Sequence, residues 1–184
     1  SDRTKNDNIR RAQQEQWSEH PAALQGAITY DIRPSDGVHY REEANLRAFA
    51  RRWSLAIRAS LYGKTSCASP KLEQLVVLDD RSLRLVFDQP LEIAKWDGTP
   101  GTKAFGFRLA DGEQTWTDAD VLHTTVQSKE VLVKFARPFP ASALLSYGSG
   151  SDGQGQPTLR GAENHAPVRM IFSQRLTSSQ EPTP

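Results

Sequence analysis

The stretch Ala27-Ile28-Thr29-Tyr30-Asp31-Ile32, followed by Arg33-Pro34-Ser35-Asp36-Gly37-Val38-His39 and then by a long amphipathic run to Gly63, decides how this chain is read. Its first six residues predict a short strand, the next seven a turn, and the remainder a helix, because apolar clustering, Pro-Asp-Gly chemistry and a 3.6-residue period succeed one another. Inside the turn lies Asp36-Gly37-Val38-His39, an acid and an imidazole three residues apart. An α/β enzyme keeps its chemistry at the carboxyl end of a strand, and this pair would sit there.

The spacing suits a catalytic pair. In a tight turn, residues i and i+3 can lie on one side, so Asp36 can accept a hydrogen bond from His39 Nδ1 and leave Nε2 to face a hydroxyl. The carboxylate would fix the tautomer and stabilise the imidazolium formed when the base takes a proton. Aspartate-glycine is also among the commonest surface-turn dipeptides, and a D-x-x-H pattern alone is a weak motif.

The helix after the turn has the clearest period in the chain. Leu46, Phe49, Ala50, Trp53, Ile57 and Leu61 recur at three- and four-residue steps, giving one apolar face that needs a sheet to cover. Arg41, Glu42, Glu43, Arg47, Arg51, Arg52 and Arg58 are interleaved around the rest and read as a solvated face. Gly63 is the expected C-cap. Upstream, Asp7 or Asn8 should cap an earlier helix carrying Ile9, Ala12 and Trp17 and stopping before Pro21, with His20 at its exposed end.

Ile9-Arg10-Arg11-Ala12-Gln13, the strand ending near Asp31, the Asp36-Gly37-Val38-His39 block and the helix closing in Leu61-Tyr62-Gly63 together resemble the last third of an SGNH-hydrolase domain, in particular that of carbohydrate esterases related to sialate O-acetylesterases. The resemblance implies an α/β/α, flavodoxin-like catalytic domain, with Asp36 as the orienting acid and His39 as the base of a serine triad. One departure is Tyr40, where the family often has proline after the histidine. The nucleophile is not in this chain: neither Ser149 nor Ser151 is flanked as G-x-S-x-G requires.

A strand and two helices in 63 residues cannot build a doubly wound domain, which normally needs about 100–150 residues. Residues 1–63 are therefore expected to be the C-terminal part of a catalytic domain. Its serine and its oxyanion-hole glycine and asparagine would lie on an N-terminal segment or a partner chain. Lys64–Pro70 reads as a linker, after which the period changes from helical to alternating. Strands are predicted at 72–78, 82–87, 104–109, 121–126, 131–135, 143–147 and 168–172, so residues 71–174 suit a small antiparallel β-sandwich. Leu145-Ser146-Tyr147-Gly148 and Thr158-Leu159-Arg160 resemble the β-domain that follows the catalytic domain in the same enzymes. The tail 175–184, rich in Ser, Thr and Pro, is expected to be disordered. The expected fold class is α+β.

The totals bound the partners. With 184 residues and a net charge of +1, nothing points to nucleic acid or to an anionic membrane, and no apolar run approaches the roughly 20 residues of a membrane helix. Cys67 is the single cysteine, which excludes an intrachain disulfide and leaves the redox compartment undetermined. The four histidines lack any metal-ligand spacing, so no metal or other cofactor is expected. Asp120-Val121-Leu122-His123 repeats D-x-x-H, but at the start of a strand its two ends would face opposite ways. Gly148-Ser149-Gly150-Ser151-Asp152-Gly153 matches a dinucleotide fingerprint literally, yet no helix follows it. Trp96 and Trp116 fall in loop-like stretches and could stack on a sugar ring or fill a core. Two functions remain: a serine esterase removing an acyl group, acetyl foremost, from a carbohydrate, or a non-catalytic carbohydrate-binding or assembly module.

Overall fold

The computed structural model describes residues 2–20, 22–32, 39, 41–95, 97–112, 114–148 and 158–176. The architecture is α+β: among the described residues two α-helices precede ten strands, all paired antiparallel. Helix α1 spans Asp2–Glu19 and α2 spans Glu43–Tyr62. Strands β1 (Leu72–Asp79), β2 (Ser82–Phe87), β7 (Glu130–Phe135) and β6 (Val121–Gln127) form one sheet in that order. A second sheet runs β10 (Ile171–Arg175), β8 (Leu144–Tyr147), β4 (Phe107–Asp111), β5 (Gln114–Trp116). Strands β3 (Leu91–Ile93) and β9 (Leu159–Gly161) pair separately.

Alternation decides the β part. In β2 every second residue turns inward, so Leu83, Leu85 and Phe87 are fully buried; Val131, Val133 and Phe135 of β7 do the same. Phe107 and Leu109 of β4, with Leu145 and Tyr147 of β8, join them in one apolar cluster shared by the two four-stranded sheets. The β1–β2 turn is fixed by Asp79 Oδ1, which accepts the Arg81 N–H at 2.8 Å, a short-range bond that aspartate makes readily. The β6–β7 turn places Ser128 at φ 54, the left-handed conformation that matches a two-residue hairpin to strand twist.

Several expected elements differ. The strand over 27–32 is not formed: these residues pair with no ladder among the described residues, because no neighbouring strand is present to accept them. Helix α1 begins at Asp2, not at Asp7 or Asn8. Strands 104–109 and 168–172 are displaced to Phe107–Asp111 and Ile171–Arg175, and the short β3, β5 and β9 carry too few residues to show a period. Arg175 closes β10 and Leu176 is buried, so the ordered part runs past 174; residues 177–184 lie outside the described residues. Between helix and sheets, Thr65–Cys67 make a 3-10 turn with Cys67 buried, and Asn164 Nδ2 donates to the Ser66 and Ala68 carbonyls at 2.8 Å each.

Helix α2 shows the largest difference. Leu46, Trp53, Ile57 and Leu61, read as its core face, are between 43% and 62% exposed, while Asn45 and Arg52 are buried. The face turned to the protein carries Asn45, Ala48, Arg52, Ala56 and Ala59, about a third of a turn away from the apolar one. The expectation that the arginines form a solvated face fails at Arg52. Small alanines on both sides of it let the helix approach closely enough to bury its guanidinium. Gly63, at φ 64, ends the helix as expected, its N–H bonded to the Arg58 carbonyl.

Candidate functional site

The site is built outward from Asp31, one residue before Ile32, the last described residue ahead of 33–38. Its side chain is fully buried, and two guanidiniums reach it from different elements. Arg52, from α2, donates through Nη1 to Oδ1 at 2.9 Å and through Nη2 to Oδ2 at 3.0 Å, a bidentate fork. Arg160, from β9, donates through Nη2 to Oδ2. Arg52 Nη1 also reaches the Ile28 carbonyl at 3.1 Å, and Arg160 Nε the Ala94 carbonyl at 2.9 Å. Burial by itself pushes the Asp31 carboxyl up; the Arg52 charge and hydrogen bonds, then those of Arg160, outweigh it and hold the group below the usual carboxylate range. The carboxylate is therefore ionised, and the three groups together carry one net positive charge.

The neighbouring residue is tied to the β part as well. Tyr30 Oη donates to the Val168 carbonyl at 2.6 Å, and its ring lies so close to Gly148 that a Cβ there would come within 3.2 Å of it. Gly148 is also at φ 76, so both space and backbone require glycine. Burial raises the Tyr30 phenol well above its ordinary value, so it stays a neutral donor. Gln14 Nε2 of α1 donates to the Met170 carbonyl at 3.1 Å. A groove of about 260 Å³ runs between α1 and residues 27–32, lined among others by Arg10, Gln13, Trp17, Tyr30 and Ile32.

Asp36 lies outside the described residues, as do Trp96, Ser149 and Ser151. His39 is described and is exposed. The rival pair separates: Asp120 caps a 3-10 turn with Thr117 and binds Arg137 Nε at 3.0 Å, whereas His123 Nε2 meets Thr125 Oγ1 at 2.8 Å. Trp116 is core, covered by the Arg137 guanidinium 4.5 Å from its ring centroid. An acid–imidazole contact is made elsewhere: His165 Nδ1 with Glu92 Oε1 joins the loop after β9 to β3. No group of three or more metal-ligating side chains occurs among the described residues.

No family model matches the chain, and no curated protein does. Among solved structures it is similar to the crystal structure of a carbohydrate acetylesterase from Xanthomonas citri, with a TM-score of 0.58 and 22% identity over 86% of this chain and 34% of that one. The likeness is one of fold, and the chain spans about a third of the length of that enzyme.

Proposed function

We propose that this chain supplies the acid and base of a serine esterase that removes acyl groups, acetyl foremost, from a carbohydrate. Asp36 orients the imidazole, His39 takes the serine proton and returns it to the leaving sugar oxygen, and the serine and oxyanion hole lie on polypeptide outside this sequence. In this reading residues 1–63 are the C-terminal part of an SGNH-type catalytic domain, 64–70 the connection, and 71–174 a β-sandwich formed by the two four-stranded sheets.

The observation that carries the proposal is the fold likeness, over 86% of this chain, to about a third of a longer carbohydrate acetylesterase. The outward apolar face of α2 supports it, because Leu46, Trp53, Ile57 and Leu61 form a surface that the rest of such a domain would cover.

The test is hydrolysis of acetylated oligosaccharides by the polypeptide joined to its serine-bearing part. His39→Ala should cost on the order of 10⁴-fold or more in kcat with the fold intact. Asp36→Asn should be severe but milder, and His123→Ala should leave the rate unchanged. Wild-type rates in His39→Ala would sink the assignment. Absence of any acyl-ester hydrolysis by the wild type would hand the chain to the reading as a non-catalytic carbohydrate-binding or assembly module.

A further inference from the structure

We propose that the cavity between helix α1 and strand β10 binds a small hydroxylated carboxylate, with Arg169 as the residue that takes its charge. The cavity measures about 480 Å³, within the range of sites for small molecules, and shares no residue with the proposed acid and base. Arg169 lines it, and also lines a second cavity of about 160 Å³ against α2. Its backbone is fixed, the N–H donating to the Pro70 carbonyl at 2.9 Å. Its side chain is not satisfied in the same way. Arg169 Nε is buried and donates to no group among the described residues, and the guanidinium makes none of the ion pairs that Arg47, Arg52, Arg137 and Arg160 make. A buried donor without a partner costs stability, so it marks a place that a ligand oxygen can complete.

Charge and shape narrow the ligand. Arg11, Lys71 and Arg169 line the cavity against Glu15 and Glu19, one positive charge in excess. Asp88, whose Oδ1 accepts the Lys71 N–H at 2.9 Å, offsets part of that excess without pairing with Arg169. Burial lowers the Arg169 guanidinium from its ordinary pKa, the mark of a cation short of counter-charge, and arginine stays charged at neutral pH all the same. A dianion such as a phosphate monoester would meet the carboxylates on α1. A single carboxylate matches both the one-charge excess and the planar fork of a guanidinium. Arg11 is engaged already, over the Phe172 ring at 5.4 Å, which leaves Arg169 as the unmatched cation. Gln14, Ser18, Ser173 and Gln174 also line the cavity and supply side-chain donors and acceptors for hydroxyls.

Calorimetry and thermal unfolding of the complete polypeptide with D-glucuronate, D-glucose and a phosphate monoester of glucose test this. Glucuronate should bind with a Kd of about 1 mM or tighter, and the other two at least about tenfold more weakly. Arg169→Met should weaken glucuronate about tenfold or more, and Arg169→Lys, which keeps the charge but not the fork, should fall between. Without ligand, Arg169→Met should melt no lower than wild type, because an unpaired buried donor gives way to an apolar group. Glucuronate should raise the Tm of the wild type and leave that of Arg169→Met unmoved. The proposal is overturned if glucuronate binds no better than glucose, if the phosphate monoester binds as tightly as glucuronate, or if Arg169→Met keeps wild-type affinity. Should Arg169→Met melt below wild type or fail to fold, Arg169→Lys decides. Only a loss of about threefold or more in glucuronate affinity at wild-type Tm then upholds the proposal, and any other result overturns it.

Discussion

Helix α2 and strand β2 dispose of their side chains in opposite ways. In β2 the apolar residues Leu83, Leu85 and Phe87 point to a shared core and are wholly buried. In α2 Leu46, Trp53, Ile57 and Leu61 are exposed, Phe49 and Leu55 are half-buried, and the buried residues are Asn45 and Arg52, with alanines alongside. The β part closes a core by itself. The helical part is joined to it by directed polar bonds and leaves Leu46, Trp53, Ile57 and Leu61 exposed. Burial gains roughly 25 cal/mol per Å² wherever the covering comes from, so an outward apolar face is a surface prepared for contact.

Removing the charge at the centre of the polar seam should have the largest effect. Asp31→Ala leaves the buried guanidiniums of Arg52 and Arg160 facing each other without compensation, and should cost about 3–5 kcal/mol in urea unfolding. A loss below about 1 kcal/mol would mean that the node is solvated and the contrast with the β core false. Tryptophans sharpen the same comparison. Trp116→Ala, in the core, should cost about 3–5 kcal/mol in this chain, and Trp53→Ala, 44% exposed, less than about 1 kcal/mol. With the proposed serine-bearing part joined, Trp53→Ala should rise towards the Trp116 value; equal small losses with and without it would show that nothing covers that face.

Acid titration should give the smallest effect. Asp31 is held below its ordinary carboxylate value in the folded chain, so its contribution is complete above that ordinary value, about 3.9, and fades as pH falls through the folded one. Asp79, Asp97 and Asp120 are also lowered and titrate in the same region, so the comparison must be made between variants. Wild type should lose stability more steeply than Asp31→Ala below about pH 4, by up to one proton's worth of slope. Parallel curves would mean that the carboxylate is not held by its arginines.

Where each residue's environment follows from its own neighbours in sequence, the chain is legible. Strand β2, the β1–β2 and β6–β7 hairpins, the end of α2 at Gly63 and the repeat of D-x-x-H in a setting that pulls it apart all follow from alternation, turn chemistry and backbone freedom within a few residues. Residues 27–32 and the orientation of α2 do not, because a strand exists only when another pairs with it and an amphipathic helix has two candidate faces. The alanines at 48, 56 and 59 around Arg52 were the available signal, and only close packing gives that pattern its meaning. That Asp31 would meet Arg160, 129 residues away, is written in no period or motif. Sequence singled out which residues could carry the proposed chemistry. Tertiary structure decided what surrounds Asp31, since a buried carboxylate must find its counter-charges wherever the chain brings them near.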